Sequence, residues 1–475
     1  MFAFAIWNKN TGTLFLARDR LGIKPLYYVY DKNRLIFASE IKALLADKSV
    51  QRIPNDEMIF DFLLSGFQKH NGETFFKDVY ELLPASYMVI DRKGIAIKKY
   101  WELTTFSAYQ VKTDKCAVSI FRELLMDAIK IQLPMDLCIG TYLSGGLDSS
   151  LIAGLTDELL NSPSSDSCKC SNQEIQELFS AIYNEANADE RSFIDEVSRQ
   201  LRTKVNYVFP SSQIQWNDLK RFVYFMDEPV TVLNYYAYWC LSRITKGNAK
   251  VTFSGQGPDE FLAGHPDHLI AYLRELWKNR RIVRLFFEFV AGLNRYGFLN
   301  VLKEMLTRAS SKGIQVKGLL KTEKASGRKL RTKAVDSLEH ALFLDVTQNR
   351  LPMHLRVGDR VSSAFSIESR FPYLDHRIIE FAFSLPSDQK IRNGWTKYPL
   401  RFAAKGVVPE SVRLRKKRGT PIPLELWMEN LHPMIVSVFN SREFRGRSYF
   451  NHVAILDLYN RYHEKRQPFA AKILR

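Results

Sequence analysis

The sequence predicts an α/β fold in which a parallel sheet with crossover helices follows an antiparallel β-rich layer and precedes a large helical extension. Three observations predict it. Aromatic and β-branched runs separated by turn residues fill the first hundred positions. Strand and helix patterns then alternate from about residue 113 to residue 265, which is typical of βαβ units. Beyond that point the pattern is largely helical to residue 475.

The N-terminal layer is predicted from short strand signals. The runs are separated by turns rich in Asn, Gly, Lys and Pro, and the last two flank an Asp-Arg-Lys-Gly turn typical of a hairpin. Met1 opens directly into the first run, with no partner strand before it. We expect one unit at residues 1–100 and a second at residues 101–475. The predicted strands cover residues 2–7, 13–17, 26–30, 35–38, 86–90 and 95–100.

The alternating part is predicted to begin with a helix that Asp114 caps. Apolar residues recur on one face of this helix at helical spacing. A linker rich in Ser, Cys and Asn is expected at residues 161–172. The helix face consists of Ala117, Phe121, Leu124, Leu125 and Ala128. The predicted strands cover residues 137–142, 179–183, 205–209 and 250–254, and the predicted helices cover residues 190–202, 216–226 and 234–246.

Size and composition favour a globular protein of two or three domains. A chain of 475 residues exceeds what one core holds, and 46% hydrophobic with 25% charged residues is ordinary for such a protein. No apolar run reaches the roughly 20 residues that span a bilayer. The first residues lack the basic flank and cleavage site of a signal peptide. We therefore expect a cytoplasmic protein without a membrane partner.

The five cysteines are few and odd in number, which argues against a disulfide framework. Cys138 and Cys240 lie in apolar sequence and are predicted to be core thiols. The Cys168 and Cys170 pair has no second pair and no nearby His, so a metal site there is the weaker interpretation.

A net charge of +17 raises the hypothesis of a nucleic-acid binder. The basic residues are spread, with a denser run over residues 274–333 and a knot at residues 413–418. Neither lies beside a recognised nucleic-acid-binding motif. A solvated basic face is the favoured interpretation of the first run, and no nucleic-acid partner is expected. In the second, Lys416 and Lys417 could cover a phosphate pocket or be solvated.

Residues 144–150 (Ser-Gly-Gly-Leu-Asp-Ser-Ser) form a glycine-rich turn between a predicted strand and a predicted helix. Such a turn brings backbone N–H groups up to an anion at a helix N-terminus. Ser149 and Ser150 add hydroxyl donors, and Asp148 can hold the divalent ion that accompanies polyphosphate. The spacing is not the Walker type. It predicts a pyrophosphate-binding loop and cleavage of ATP between the α- and β-phosphates, the alternative being a turn that merely caps a helix.

Four ordered motifs resemble those of the glutamine-dependent asparagine synthetases, a class II amidotransferase joined to an ATP-pyrophosphatase domain. The resemblance covers nearly the whole chain and implies an adenine-nucleotide α-hydrolase-like (PP-loop) sheet, preceded by the C-terminal remnant of an Ntn-type glutaminase domain at residues 1–100. The four motifs are residues 144–150 (pyrophosphate loop), 254–264 (second nucleotide motif), 365–376 (third signature) and 397–401 (catalytic lysine segment). In addition, residues 2–5 and 17–28 are similar to the end of the glutaminase domain.

The resemblance implies an AMP-forming ligase that makes asparagine from aspartate, ATP and ammonia. Asp148 and Asp259 would hold Mg²⁺, and Lys397, with Arg401 one helical turn further, would neutralise the phosphates. Helix capping by the two aspartates and an exposed Lys–Arg surface pair are the alternatives. The implied catalytic residues are Lys397, Gln256, Asp148 and Asp259; the implied ATP-binding residues are Leu143, Ser144, Gly145, Gly146, Asp148, Ser149, Ser150, Ala181, Ser254, Gly255, Lys397 and Arg401.

Three departures from the family pattern matter. The family's glutaminase uses an N-terminal cysteine, whereas position 1 is Met and the first cysteine is Cys116. We therefore expect no glutamine hydrolysis by this chain, with a truncated gene model or fragment as the favoured explanation and a natural ammonia-only enzyme as the second. Gln256 stands where many relatives have an acidic residue, and Gln cannot donate or store charge. Pro258 removes one backbone donor from the same loop.

Two further charged groups stand in the matched segments. Glu368, Arg370 and Asp375 lie in an apolar context, where structural ion pairing is at least as well supported as substrate contact. Residues 227–229 (Asp-Glu-Pro) resemble a family loop near the substrate.

The function classes left open are three. The first is the amide ligase, acting on aspartate or, like relatives that close β-lactam rings or amidate sugars and peptides, on another carboxylate. The second is a silent interaction module, favoured by Gln256 and the absent glutaminase nucleophile. The third is the nucleic-acid binder, which rests on charge alone and predicts a steep salt dependence. Expected ligands are ATP, Mg²⁺ and small-molecule substrates, and a homodimer is left open.

Overall fold

The computed structural model describes the chain except residues 32–33, 67–70, 104–110, 112, 135–136, 163–175, 186–187, 211–215, 232–233, 297–317, 322–336, 417–421 and 466–475. The predicted α/β class is confirmed, with an antiparallel N-terminal part and a parallel sheet in the second part. Most of the linker at 161–172, the Cys168 and Cys170 pair, Lys417 and much of the basic run at 274–333 lie outside the described residues.

The N-terminal part contains two antiparallel sheets. A four-stranded sheet has the order β1-β2-β6-β7, and a three-stranded sheet has the order β4-β3-β5. Strand β1 is an edge strand that pairs only on its β2 side among the described residues, and most of its side chains are exposed. The strands are β1 (Ala3–Asn8), β2 (Thr13–Arg18), β3 (Tyr27–Tyr30), β4 (Leu35–Ala38), β5 (Tyr80–Glu81), β6 (Ser86–Asp91) and β7 (Gly94–Lys99), and the helices are α1 (Ile41–Leu44) and α2 (Asp56–Ser65).

The second part is built on a five-stranded parallel sheet of order β10-β9-β8-β11-β12. The chain leaves β8 towards β9 on one side and returns through β11 on the other, so a topological switch point lies between β8 and β11. The elements are α3 (Asp114–Gln132), β8 (Ile139–Tyr142), α4 (Leu147–Leu160), β9 (Gln176–Ala181), α5 (Arg191–Leu201), β10 (Val205–Val208), α6 (Trp216–Met226), α7 (Tyr235–Thr245) and β11 (Val251–Phe253).

The C-terminal extension is helical, as predicted, with one exception. Strand β12 (Glu368–Arg370) completes the sheet beside β11, and three charged or polar residues without periodicity carry no strand signal. The helices are α8 (Pro258–Phe261), α9 (Pro266–Lys278), α10 (Ile282–Tyr296), α11 (Leu338–Thr347), α12 (Arg350–Ser363), α13 (His376–Ser384), α14 (Ser387–Lys390), α15 (Tyr398–Ala403), α16 (Glu410–Arg413), α17 (Leu424–Asn440), α18 (Arg442–Arg445) and α19 (His452–Lys465).

Two local predictions need correction. The cap of α3 is Thr113, whose hydroxyl accepts from the Cys116 N–H at 3.3 Å, because Asp114 is already the first helical residue and its carboxylate pairs with Arg392. Of the two predicted core thiols, Cys240 is buried whereas Cys138 is half-buried. No helix among the described residues is long and apolar enough to cross a membrane.

Lys390 provides a stability prediction outside the site. Its side chain is 1% exposed, and burial lowers its pKa from 10.5 to about 8, although Glu339 and Glu275 act in the opposite direction. The unfolded chain therefore binds more protons between about pH 8 and 10.5, so the free energy of unfolding rises with pH through this window. We expect Lys390→Met to stabilise the protein at pH 7 by about 2–4 kcal/mol and the gain to vanish above pH 10.5.

The measurement is urea unfolding of Lys390→Met and wild type at pH 7 and pH 10. Lys250→Met, which changes an exposed lysine, is the matched control and should leave the urea midpoint within experimental error. A lower midpoint for Lys390→Met at pH 7 would show that Lys390 makes a net stabilising contribution.

Candidate active site

A cavity of about 380 Å³ opens at the switch point, between the segments that follow β8 and β11. Loop 144–150 follows β8, and residues 254–257 follow β11. The sheet therefore brings together two motifs that are about a hundred residues apart in the sequence. The sequence-predicted residues that line the cavity are Leu143, Ser144, Gly146, Asp148, Ser149, Ala181, Ser254, Gly255, Gln256, Asp259, Lys397 and Arg401.

Two predicted ATP-binding residues, Gly145 and Ser150, do not line the cavity. Gly145 has a φ of 67° and packs towards α5, where an added Cβ would lie 3.1 Å from the Cβ of Phe193. Ser150 is fully buried inside α4, and its Oγ has no hydrogen-bond partner among the described residues. Gly145 therefore shapes the turn, and Ser150 faces the protein interior because helical geometry turns it away from Ser149.

Loop 144–150 is held by its own serines. The Ser149 hydroxyl accepts from the Ser144 N–H at 3.1 Å, and the two hydroxyl oxygens are 3.0 Å apart. The Ser144 hydroxyl also accepts from the Gly146 N–H at 3.3 Å. Helix α4 begins directly afterwards with Gly146 as its cap, so its free N–H groups and positive dipole end face the cavity mouth. This arrangement suits a polyphosphate.

The second glycine-rich loop, residues 254–257, packs tightly against loop 144–150. An added Cβ on Gly255 would lie 2.7 Å from the Ser149 nitrogen, so only glycine lets the two backbones approach this closely. Pro258 occupies the first position of α8, where a backbone N–H is not required. The proline that departs from the family pattern therefore costs the loop no structural hydrogen bond.

Lys397 joins the two loops. Its Nζ lies 2.5 Å from Asp148 Oδ2 and 2.6 Å from Asp259 Oδ1, and its side chain is 4% exposed. The residue has a φ of 52°, in the left-handed region, and its N–H donates to Leu262 O at 3.0 Å. Backbone strain at a buried charged residue is typical of functional sites. The arrangement excludes the exposed Lys–Arg surface pair as an interpretation.

Several polar atoms of the cavity wall lack a partner. Asp148 Oδ1, Gln256 Oε1, Tyr183 Oη and Asn234 Oδ1 are buried without a hydrogen-bond partner among the described residues. Buried polar groups are normally paired, so an unpaired set that converges on one cavity points to a bound ligand.

Basic side chains line the cavity beside the lysine. Arg401 stacks over Trp395, with its guanidinium carbon 4.4 Å from the ring centroid. Arg415 stacks over Phe193 at 4.1 Å and donates to Gly145 O at 2.9 Å. Lys416 also lines the cavity. The basic knot at 413–418 thus contributes Arg415 and Lys416 to the site, and Arg415 was not singled out by the sequence.

The sequence assigned no role to one wall of the cavity, formed by Tyr235, Glu260, His265 and His354, although Glu260 lies within the motif at residues 254–264. Glu260 is 3% exposed, and its Oε1 lies 3.2 Å from His265 Nε2. His354 lies within α12, and the local sequence around it contains no motif that could have marked it. Only helix packing places it there.

Two expected groups lie outside the cavity. Glu368 pairs with Arg370 at 2.8 Å, and Asp375 caps α13, so these charges are structural. Residues 227–229 face the N-terminal part instead of the cavity: Asp227 accepts from the Ile41 N–H at 3.0 Å, and Glu228 accepts from the Phe75 N–H at 3.2 Å. The segment that resembles a family loop near the substrate therefore uses two carboxylates to accept hydrogen bonds from backbone N–H groups of the N-terminal part.

A phosphate-type loop, a buried lysine and two carboxylates at the switch point of a parallel sheet define a nucleotide-dependent enzyme. Residues 120–474 match the family profile described as asparagine synthase, and residues 1–101 match that of a glutamine amidotransferase domain. The chain therefore belongs to the asparagine synthase family, and it is an ATP-dependent amide ligase by family.

Comparisons with individual proteins give the extent of the similarity. Glutamine-hydrolyzing asparagine synthetase 1 of Bacillus subtilis is 28% identical over 465 residues, which cover 90% of this chain and 69% of that protein. Amidase chyE of Penicillium rubens is 25% identical over 481 residues, covering 90% and 70%. The U34-tRNA thiolase NcsA of Methanococcus maripaludis aligns over 78% of this chain and 87% of its own at 12% identity, with a TM-score of 0.27.

Proposed function

We propose that this chain catalyses AMP-forming amide synthesis of the asparagine synthetase type, with aspartate as the carboxylate acceptor. The observation that carries the proposal is the position of Lys397, whose ammonium group lies between Asp148 and Asp259 where the two glycine-rich loops meet. Nucleotidyl transfer is mostly positioning and charge stabilisation, and this cluster supplies both.

In the first step the acceptor carboxylate attacks the α-phosphorus of ATP, and pyrophosphate leaves. Backbone N–H groups of loop 144–150, with the Ser144 and Ser149 hydroxyls, would bind the pyrophosphate. Lys397 would transfer its hydrogen bonds from the carboxylates to the α-phosphate as charge develops there. In the second step ammonia attacks the acyl-adenylate carbonyl, the bond to AMP breaks, and an amide results. Leu143, Ala181, Ser254 and Gly255 are the proposed adenosine contacts.

Magnesium is proposed to enter with ATP. The donor set fits, because Asp148 and Asp259 provide hard oxygen ligands on either side of Lys397 and Asp148 Oδ1 is buried without a described partner. No group of three or more His, Cys, Asp or Glu among the described residues forms a complete metal site. Phosphate oxygens and water would therefore supply the remaining ligands, and the bound ion would offset phosphate charge.

The proposed nitrogen donor for this 475-residue polypeptide is ammonia. Ammonia is the nucleophile of the second step, so ammonium can directly serve the part of the chain that matches asparagine synthase, residues 120–474. A different carboxylate acceptor is the second candidate. Gln256 in place of an acidic residue, and an amidase among the relatives, favour it.

The proposal is tested by incubating the protein with ATP, Mg²⁺ and aspartate, together with either ammonium or glutamine. We expect AMP, pyrophosphate and asparagine with ammonium alone. Pyrophosphate release that requires another carboxylate in place of aspartate would favour the second candidate. The ligase proposal fails if no carboxylate supports AMP formation, and the ammonia proposal fails if glutamine supports turnover.

A further inference from the structure

One wall of the cavity contains a chain of polar groups that the ATP loops do not use. Tyr235 at the start of α7, Glu260 in α8 and His354 in α12 meet there, and all three line the cavity. Tyr235 Oη lies 2.9 Å from His354 Nδ1, and His354 Nε2 lies 3.8 Å from Glu260 Oε1. An imidazole is thus held between a phenol and a buried carboxylate.

The wall lies beside the adenylating cluster. Glu260 follows Asp259 in the first turn of α8, and Asp259 contacts Lys397. Gly358 comes one helical turn after His354 on the same face of α12, and a Cβ added to it would lie 3.7 Å from Gln256 Oε1. His354 and Gln256 therefore face the same part of the cavity.

The proposed second step needs a proton acceptor. Ammonia that adds to the acyl-adenylate carbonyl becomes a positively charged nitrogen, which must lose a proton before or as the bond to AMP breaks. Gln256 cannot accept that proton, because an amide is not basic. A neutral imidazole can, and a carboxylate next to it stabilises the imidazolium that forms.

The geometry points to His354 as the general base of the amide-forming step, an inference that rests on the proposed function. Tyr235 orients the ring by accepting the Nδ1 proton, which leaves the Nε2 lone pair for the incoming nitrogen. The carbon–nitrogen bond forms, the bond between the acyl carbon and the AMP oxygen breaks, and the proton moves to His354 Nε2. Glu260 then faces an imidazolium instead of a neutral ring.

The residues around His354 favour its neutral imidazole, which is the form that can accept a proton. Burial lowers the pKa of His354 below 6.5, and nearby His265 and Arg350 act in the same direction, while Glu260 and Asp259 oppose them. The imidazole is therefore neutral at pH 7. Burial raises the pKa of Tyr235 well above its ordinary value, so the phenol stays protonated and does not compete as a base.

The test separates the two steps of the reaction with His354→Gln. Adenylation is measured as aspartate-dependent ATP–pyrophosphate exchange. The second step is measured as asparagine formation from ammonium. We expect exchange within about threefold of wild type and amide formation slowed by about 10²-fold or more. At a constant concentration of free NH₃, amide formation should rise with pH through the His354 pKa in wild type, and this limb should be absent in the variant.

Hydroxylamine provides a second readout that a merely structural role would not move. Its conjugate acid is more acidic than ammonium, so its adduct loses a proton more easily and the variant should recover a large part of its rate. His432→Gln is the matched control, because His432 Nδ1 also pairs with a tyrosine hydroxyl, that of Tyr459 at 3.1 Å, outside the cavity lining. It should leave both steps unchanged.

The possible results distinguish a failure of the His354 inference from a failure of the proposed function. Normal amide formation by His354→Gln overturns the inference, and so does equal loss of both steps, which would indicate a positioning role only. Absence of exchange in wild type with every carboxylate overturns the proposed function itself.

Discussion

Replacing Lys397 with methionine is expected to reduce aspartate-dependent release of pyrophosphate by about 10³-fold. Methionine keeps the length and apolar stem of the side chain but removes the charge that faces Asp148 and Asp259 at 2.5 and 2.6 Å. Without this cation, the two carboxylates repel the negatively charged α-phosphate. The measurement is steady-state pyrophosphate release with ATP, Mg²⁺ and aspartate.

Folding must be checked in the same experiment. Removing one partner from a buried charge cluster typically costs about 3–5 kcal/mol, so the midpoint of thermal unfolding should also fall. Lys397→Arg is the second variant: it keeps the charge, but its fork cannot occupy the same point between two carboxylates, so activity should remain low while stability recovers in part. Lys405→Met, at an exposed lysine of the same segment, should leave both quantities unchanged. Retention of more than a tenth of wild-type activity by folded Lys397→Met would contradict the assignment.

Gly264→Ala is expected to slow adenylation strongly by crowding the same cluster, although Gly264 contributes no chemical group. A Cβ at this position would lie 1.8 Å from Asp259 Oδ1, 2.3 Å from Lys397 Cε and 2.7 Å from the Cα of Asp259. The last contact is with the backbone, so α8 itself must shift. Misplacement of reacting groups by about 1 Å costs about 10²-fold in rate, and we expect at least that loss.

The matched control is Gly292→Ala in α10, where the added Cβ would meet only the flexible end of Leu269 at 3.0 Å. Neither glycine has a φ in the left-handed region, so backbone strain does not distinguish the two variants. Pyrophosphate release and the thermal midpoint are measured for both. Full activity of Gly264→Ala would mean that Asp259 and Lys397 tolerate displacement, and that the tight contact is not required for catalysis.

Much of the fold could be predicted from local pattern. Aromatic and β-branched runs between turn residues predicted six of the seven antiparallel strands to within one residue, and missed only the two-residue strand β5; the alternation after residue 113 predicted the parallel sheet. These features depend on residues near one another in the chain, whose periodicity sets which face is buried. The same reasoning failed for β12, because Glu-Ser-Arg becomes a strand only through pairing with β11.

The candidate site also combines features that local sequence predicts with features that it does not predict. Glycine-rich turns after strands, and the lysine segment at 397–401, could be recognised as short motifs. The sequence alone could not show that Ser150 points into the interior, or that the carboxylates of residues 227–229 face the N-terminal part. Both outcomes depend on which side of a helix or loop meets a neighbouring element.

The sequence by itself determined the fold class, the order of most elements and the nucleotide motifs, because each is encoded within a few consecutive turns of chain. The tertiary structure decided which distant side chains share the cavity. His354 and Glu260 are 94 positions apart, and their Nε2 and Oε1 atoms lie 3.8 Å apart only because the tertiary fold brings both residues to one wall of the cavity. Helix packing is set by the sum of many weak apolar contacts, which no short stretch of sequence records.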